Sequence, residues 1–409
     1  MRSCYVPRGS GLRFEISKTV TAFSFLEFFA GGGMARAGLG DGWTCRFAND
    51  FDPMKAHAYA ENWGSDHLVC GDVAALTTAQ LPGAADLAWA SFPCQDLSLA
   101  GDYRGLGRPG DNQATRSGTF WAFWRLIEGL LREGRAPPLV VLENVAGILT
   151  ANAGRDFTAV CEVLARSGYR FGAVLMDARS FLPQSRPRVF IIAAHESVPL
   201  PPGVVAAEPA ARWCTPALRA AQARLDTTLQ ARWLWWAIPE PQESPVQLAD
   251  LLEDEPADVS WHRPAETAKL LASMTEVNRG KVEAAKAAGR RMAGTLYRRT
   301  RPAADGGRVV RAEVRFDDVA GCLRTPAGGS SRQKLLVVDG QKVRSRLMSG
   351  REAARLMGLP DSYRLPARYN DAYHLAGDGV AVPVVRHLAA TLLEPLARAA
   401  QGAADRAAA

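Results

Sequence analysis

Four side chains in this sequence stand where an apolar run gives way to a turn, and together they could support covalent catalysis. Cys94 follows Phe92-Pro93 at the end of the run Asp86 to Ala90, which reads as a buried strand of a parallel sheet. Pro93 stiffens the turn and sets the thiol at the mouth of the sheet, where α/β folds keep their chemistry. Glu143 follows the next strong apolar run, Leu139 to Leu142. A nucleophilic thiol across a crevice from a carboxylic acid suits adduct formation with assisted protonation. Arg186 and Arg188 alternate with Pro187 at the entrance of the apolar strand Val189 to Ala194, after Gln184, and offer fixed guanidinium groups for a phosphate or a carbonyl. Each has a plainer reading alone. A free cysteine is more often buried and inert, Glu143 could cap a helix, and two arginines could form a solvated turn.

Those side chains need a sheet to hold them, and the first half of the chain reads as one. Ala22 to Phe29 is a strand that runs into Ala30-Gly31-Gly32-Gly33-Met34 and then a helix from Ala35. Strand, glycine turn and helix form a dinucleotide-binding pattern, because a backbone without Cβ atoms lets a cofactor approach. The strand Thr44 to Ala48 ends in Asn49-Asp50-Phe51-Asp52. Asp50 is placed to accept hydrogen bonds from ribose hydroxyls, with Asp52 its rival for that role or the cap of the helix that begins at Pro53; Asp50 on the ribose and Asp52 as cap is the preferred assignment. Phe51 is either a stacking surface for an adenine or a core residue. A third strand, His67 to Cys70, ends in Gly71-Asp72-Val73. Three successive strand tips bearing glycine or acid on one edge describe a nucleoside pocket. No G-x-x-x-x-G-K-[ST] stretch is present, which argues against a P-loop nucleotide.

Composition bounds the rest. The chain has 409 residues with 47% hydrophobic content and no membrane-length apolar run, and it is expected in the cytoplasm, with the nucleoid if bacterial. Seven cysteines, scattered and never spaced C-x-x-C, argue for a reducing compartment and against a structural zinc. The net charge of +7 permits an acidic partner. Its distribution says more: eleven basic residues lie between Arg279 and Arg315 against three acids. With Tyr297 among them this is the best nucleic-acid footprint in the chain, although a solvated charged face has the same look. The cluster Trp233-Leu234-Trp235-Trp236 reads as core. A proline-crowded stretch from His195 opens a second domain, and the glycine-bearing segment from Gln95 to Gly118, with Ser98 and Arg104, is long enough to be a lid.

Taken in order, these segments resemble the DNA cytosine methyltransferases that act on ring carbon 5. The resemblance runs over Ser24 to Ala194 and Phe316 to Ala390. Phe29-Ala30-Gly31-Gly32-Gly33 is similar to the family's cofactor turn, Asn49-Asp50-Phe51-Asp52 to its second motif and Gly71-Asp72-Val73 to the part that meets the adenine edge. Phe92-Pro93-Cys94-Gln95 resembles the nucleophile motif, Glu143-Asn144-Val145 the acid motif, and Gln184, Arg186 and Arg188 the Q-x-R-x-R motif. Arg351 to Gly358 followed by Pro360 is similar to the penultimate motif.

The resemblance implies an α/β fold, with a Rossmann-like methyltransferase catalytic domain and a smaller DNA-recognition domain. The expected division is 22–195 catalytic, 196–320 target recognition and 321–397 a return to the catalytic domain, with loose ends at 1–21 and 398–409. It implies S-adenosylmethionine as cofactor, bound by Phe29, Ala30, Gly31, Gly33, Asp50, Phe51, Asp72, Val73, Phe92, Asp378 and Val380, and no metal. Cys94, Glu143, Arg186 and Arg188 are the implied catalytic residues. Double-stranded DNA is the implied partner of a monomer, with a cognate restriction endonuclease as a functional, not stably bound, companion. A branch that modifies transfer RNA usually lacks a sizeable insert such as the one from His195 to Arg315, which favours DNA. Two departures stand out: Gly377-Asp378-Gly379 replaces the usual Gly-Asn and small residue, and the first motif carries Glu27 and Met34 for Asp and Gly.

Overall fold

Alternating side chains of the early apolar runs must face two separate cores, since each run is apolar at consecutive positions and too short for a helix. The computed structural model describes residues 23–93, 118–242, 246–302, 306–324 and 331–408. In it the runs become β1 (Phe23–Phe28), β2 (Trp43–Asp50), β3 (Leu68–Cys70), β4 (Leu87–Ala90), β5 (Leu139–Val145), β6 (Tyr169–Asp177) and β7 (Pro187–His195). They form one sheet in the order β3-β2-β1-β4-β5-β7-β6. In β4, Leu87 and Trp89 join one core while Ala88 and Ala90 join the other, and β5 divides in the same way.

The sheet is mixed rather than wholly parallel. β1 to β5 pair in parallel, but β7 runs antiparallel to both β5 and β6. The short link from Asp177 to Pro187 carries no crossover helix, and a parallel return needs one. Glu143 and Arg188 accordingly lie inside strands, one residue or more beyond the limits expected from apolarity alone. Strand order reverses between β1 and β4, which places a crevice at their C-terminal ends.

Helices α1 (Met34–Leu39), α2 (Pro53–Trp63), α3 (Thr119–Arg132) and α4 (Arg155–Arg166) cover the sheet. Asp52 caps α2 as expected, its carboxylate accepting from the Met54 amide at 2.9 Å with Pro53 at the first helical position. After β7 come β8 (Val205–Ala206), α5 (Pro216–Ala223), α6 (Thr227–Ala231) and β9 (Trp235–Trp236). Leu218, Leu229 and Trp233 insert into the core under α3 and α4, so this stretch packs with the catalytic sheet.

The second unit is built from α7 (Pro264–Ala272), α8 (Glu276–Ala287), β10 (Met292–Pro302), β11 (Arg308–Arg315), β12 (Lys334–Asp339) and β13 (Lys342–Leu347). Its antiparallel sheet has the order β11-β10-β12-β13 and a core of Met274, Val282, Leu296, Val314, Leu336 and Val338. β10 pairs with both β11 and β12, so the sheet straddles the boundary expected at 320 and ends at Leu347.

The chain returns through α9 (Gly350–Leu356), α10 (Tyr369–Asp378), α11 (Val382–Leu388) and α12 (Glu394–Ala408). The tail expected to be loose from 398 is helical as far as Ala408. Leu396 and Ala397 are buried, and Gln401 donates to Asp86 at 3.0 Å. The helical run Tyr369–Ala407 holds a window apolar enough to cross a membrane, contrary to the sequence reading. Leu388, Leu392, Leu393 and Leu396 are fully buried within the protein, so this run is core and not a membrane span. The expected loose start, 1–21, lies outside the described residues.

Candidate active site

The glycine turn is strained and open, as a cofactor cradle must be. Phe29, Gly31 and Gly33 have φ of 57°, 56° and 76°, a region that costs a side-chain-bearing residue free energy. Around Gly32 and Gly33 there is no room: a Cβ would strike the Tyr363 hydroxyl or the Trp63 indole, and both groups donate to the Gly32 carbonyl. Gly31 differs. A Cβ there would meet nothing within 4 Å, so one side of the turn faces open space at the crevice.

Asp50 holds that turn. Its carboxylate accepts from the Gly31 amide at 2.8 Å and the Asp52 amide at 2.9 Å. Burial raises its pKa above the usual carboxylate range, partly offset by Lys55 and these two amides. Phe51, next in sequence, is 73% exposed. A large aromatic left in water at a strand tip is what a stacking surface requires, and the core reading of Phe51 is excluded. Ala30, Val73, Phe92 and Val380 are buried. Phe92 packs on Phe120 with ring centroids 5.2 Å apart, and Asp72 caps the turn at Ala74. An exposed aromatic, a carboxylate and an uncovered glycine backbone on one edge fit the adenosine part of S-adenosylmethionine.

The catalytic side is organised by the β5–β7 pair. Val145 lies opposite Arg188 in the ladder, which puts Glu143 two residues away on the same face. Arg188 Nε stands 3.1 Å from Glu143 Oε1, with both side chains largely buried. Asn144 reaches sideways, its Nδ2 donating to the Phe92 carbonyl at 3.1 Å, and so ties the acid strand to the turn two residues before position 94. Cys94 itself, with the lid segment 95–117 and its Ser98 and Arg104, lies outside the described residues.

Arg186 has partners that its sequence position did not suggest. It is 2% exposed, and it donates to the carbonyls of Gly377 and Gly379 at 2.8 and 2.6 Å and to Cys322 Sγ at 3.3 Å. These bonds lock the last motif to the sheet instead of presenting the guanidinium to a substrate. Gln184, fully buried, does similar work by donating to the Leu356 carbonyl at 2.8 Å. In the last motif, Gly377 and Asp378 lie at the C-terminal end of α10, with Gly379 linking to α11. A Cβ on Gly379 would collide with the Met34 sulfur, so the unusual Met34 packs where only glycine leaves room.

Sequence reading missed Cys322 and Lys55. Cys322 Sγ lies 3.3 Å from Arg186 and 4.0 Å from Arg188. Burial raises its pKa, but the guanidiniums of Arg186, Arg188 and Arg324 outweigh that, and the net shift is downward. It follows an irregular stretch and carries no local signature. Lys55 pairs with Asp378 across the cofactor crevice.

The sequence pattern of the C-5 cytosine-specific DNA methylase family matches residues 23–394. The type II methyltransferase M.HpaII of Haemophilus parainfluenzae is 26% identical over 395 residues, covering 91% of this chain and 90% of the relative. M.NgoBI of Neisseria gonorrhoeae is 26% identical over 365 residues, covering 89% and 90%. In fold, the chain is similar to the S. pombe Dnmt2 methyltransferase, with a TM-score of 0.56 at 18% identity, covering 91% of this chain and 99% of that one. The Entamoeba histolytica methyltransferase EhMeth gives a TM-score of 0.58 at 13% identity, covering 91% and 98%. The chain belongs to the C-5 cytosine-specific DNA methylase family and is an S-adenosylmethionine-dependent DNA (cytosine-5-)-methyltransferase.

Proposed function

We propose that Cys94, Glu143 and Arg188 carry the chemistry on a cytosine flipped out of a specific double-stranded sequence. The reading is carried by the Glu143–Arg188 contact, which Asn144 ties to the turn leading into Cys94. The Cys94 thiolate adds to ring carbon 6, and the electron pair displaced from the ring moves toward nitrogen 3. Glu143 holds or delivers the proton there and steadies the charge that develops. Arg188 orients the Glu143 carboxylate and faces the base carbonyl. S-adenosylmethionine, when bound, supplies the methyl group that the now electron-rich carbon 5 takes up. Loss of the carbon 5 proton to water, expulsion of the Cys94 thiolate and return of the nitrogen 3 proton to Glu143 restore the aromatic ring. Arg186 positions the last motif and does not touch the base. Phe51 stacks on the adenine, and Asp50 meets the ribose while holding Gly31; Phe29, Ala30, Gly33, Asp72, Val73, Phe92, Asp378 and Val380 shape the rest of the pocket.

The second unit supplies recognition. Arg298, Arg299, Arg301 and Arg308 are exposed on the β10–β11 ribbon, a shape that reaches phosphates and a major groove. Arg299 and Arg301 both pair with Glu313, which holds them side by side. The type II relatives support a restriction-linked role in the cytoplasm, with a cognate endonuclease acting on the same sequence. Bisulfite sequencing of DNA from cells expressing the protein tests the reading. Protected cytosines should share one sequence context and vanish with Cys94→Ala. Protection surviving in that variant would contradict the assignment.

A further inference from the structure

Lys55 and Asp378 are far apart in sequence, yet Lys55 Nζ lies 2.7 Å from Asp378 Oδ2. Lys55 is in the first turn of α2, just beyond the Asp50-Phe51-Asp52 tip, and Asp378 is the last residue of α10. The pair therefore bridges the two lips of the cofactor crevice. Lys55 is 19% exposed along its side chain and Asp378 42%, so the bond lies at the mouth. Asp50 and Asp52 also act on the ammonium. Burial alone lowers the pKa of Lys55, and the carboxylates of Asp378, Asp50 and Asp52 reverse that. Without Lys55, the carboxylates of Asp378, Asp50 and Asp52 would lose the cation that all three act on. The aspartate that stands in place of the family's asparagine thus has its counter-charge built in.

We propose that Lys55 is a positioning residue for S-adenosylmethionine, acting through Asp378 to hold the two lips of the crevice at binding distance. This rests on the cofactor site proposed above. The bridge fixes the end of α10, and hence Gly379 and Val380, relative to the Phe51 surface. An asparagine at 378 would place no charge there and would need no lysine. The part of the dependence on Lys55 that runs through Asp378 must therefore disappear when position 378 is neutral.

A double-mutant cycle on cofactor binding tests this, with calorimetric titration of the full-length protein by S-adenosylmethionine and, separately, S-adenosylhomocysteine. Lys55→Met should weaken both ligands about 10-fold. Asp378→Asn has its own modest cost, and adding Lys55→Met to it should cost less than about 2-fold more. Equal losses from Lys55→Met in both backgrounds would overturn the proposal, as would no loss in either. Should Lys55→Met alone misfold, the comparison of Asp378→Asn with the double variant, in which positions 55 and 378 are both neutral, decides the question: a further loss well beyond about 2-fold in the double variant overturns it. Phe51→Ala separates the two readings. If it leaves binding intact the cofactor site is misplaced, whereas if it weakens binding and the cycle shows no coupling, only the role of Lys55 fails.

Discussion

Arg188 Nε lies 3.1 Å from Glu143 Oε1, and the contact follows from ladder register alone. β7 runs antiparallel to β5, so Arg188 sits opposite Val145 and diagonally beside Glu143. A slip of one residue would send Arg188 to the other face of the sheet. The acid and its cation are thus fixed by backbone hydrogen bonds rather than by a loop.

Glu143→Gln keeps the shape and removes the proton. Methyl incorporation into DNA should fall by about 10² or more in kcat, the usual scale for a lost general acid. Arg188→Lys keeps the charge but loses the directed Nε–H, and a smaller fall is expected. Equal activity in Glu143→Gln and the wild type would remove Glu143 from the chemistry.

Asn144→Ala strands the Phe92 carbonyl in a buried site and should cost about 1–3 kcal/mol in urea unfolding. Because Phe92 leads into the nucleophile turn, kcat should fall while the dissociation constant for S-adenosylmethionine stays within about 3-fold. A loss of stability with unchanged kcat would make the bond merely structural.

Much of this site was legible in the sequence. Asp52 capping α2, the positive-φ glycine turn and the buried Trp233 and Trp236 all follow from local rules, because a cap, a positive φ or an apolar run leaves its mark within a few residues. Strand polarity was not legible: β6 and β7 are apolar whichever way they run. Nor was the role of Arg186, whose partners Gly377 and Gly379 lie far along the chain. The same holds for Cys322 and for Lys55. Long-range polar pairing has no period to read, and the boundary at 320 failed because β10 bonds to strands on both sides of it.

Cys322, beside Arg186 and Arg188, should be more acidic than an ordinary thiol. In Cys94→Ala protein, labelling of Cys322 by iodoacetamide should reach its plateau at lower pH than for free cysteine, read by peptide mass spectrometry. Cys45, pushed up to about 12 by burial and by Glu27, should stay unlabelled at pH 8. Labelling of Cys322 that rises only above pH 9 would contradict the arginine contacts.

Glu27 gives a pH signature. Burial raises its pKa to about 8, with the Arg36 guanidinium opposing, so the folded protein keeps it protonated where the unfolded chain ionises near 4.5. The unfolded state therefore binds fewer protons between about pH 4.5 and 8, and this residue's contribution to stability falls as pH rises through that window. Glu27→Gln should match the wild type near pH 4.5 and exceed it at pH 8 by up to a few kcal/mol in urea unfolding. A wild-type advantage at pH 8 would mean that Glu27 is ionised in the fold.

The sulfur–carbon bond is the centre of the account. DNA that the enzyme methylates can be copied with 5-fluorocytosine, which blocks loss of the group on carbon 5 and holds the adduct. After incubation with S-adenosylmethionine and digestion, mass spectrometry should find the base covalently attached to the peptide containing Cys94, and none with Cys94→Ala. Attachment at another residue, or normal turnover without any adduct, would contradict it.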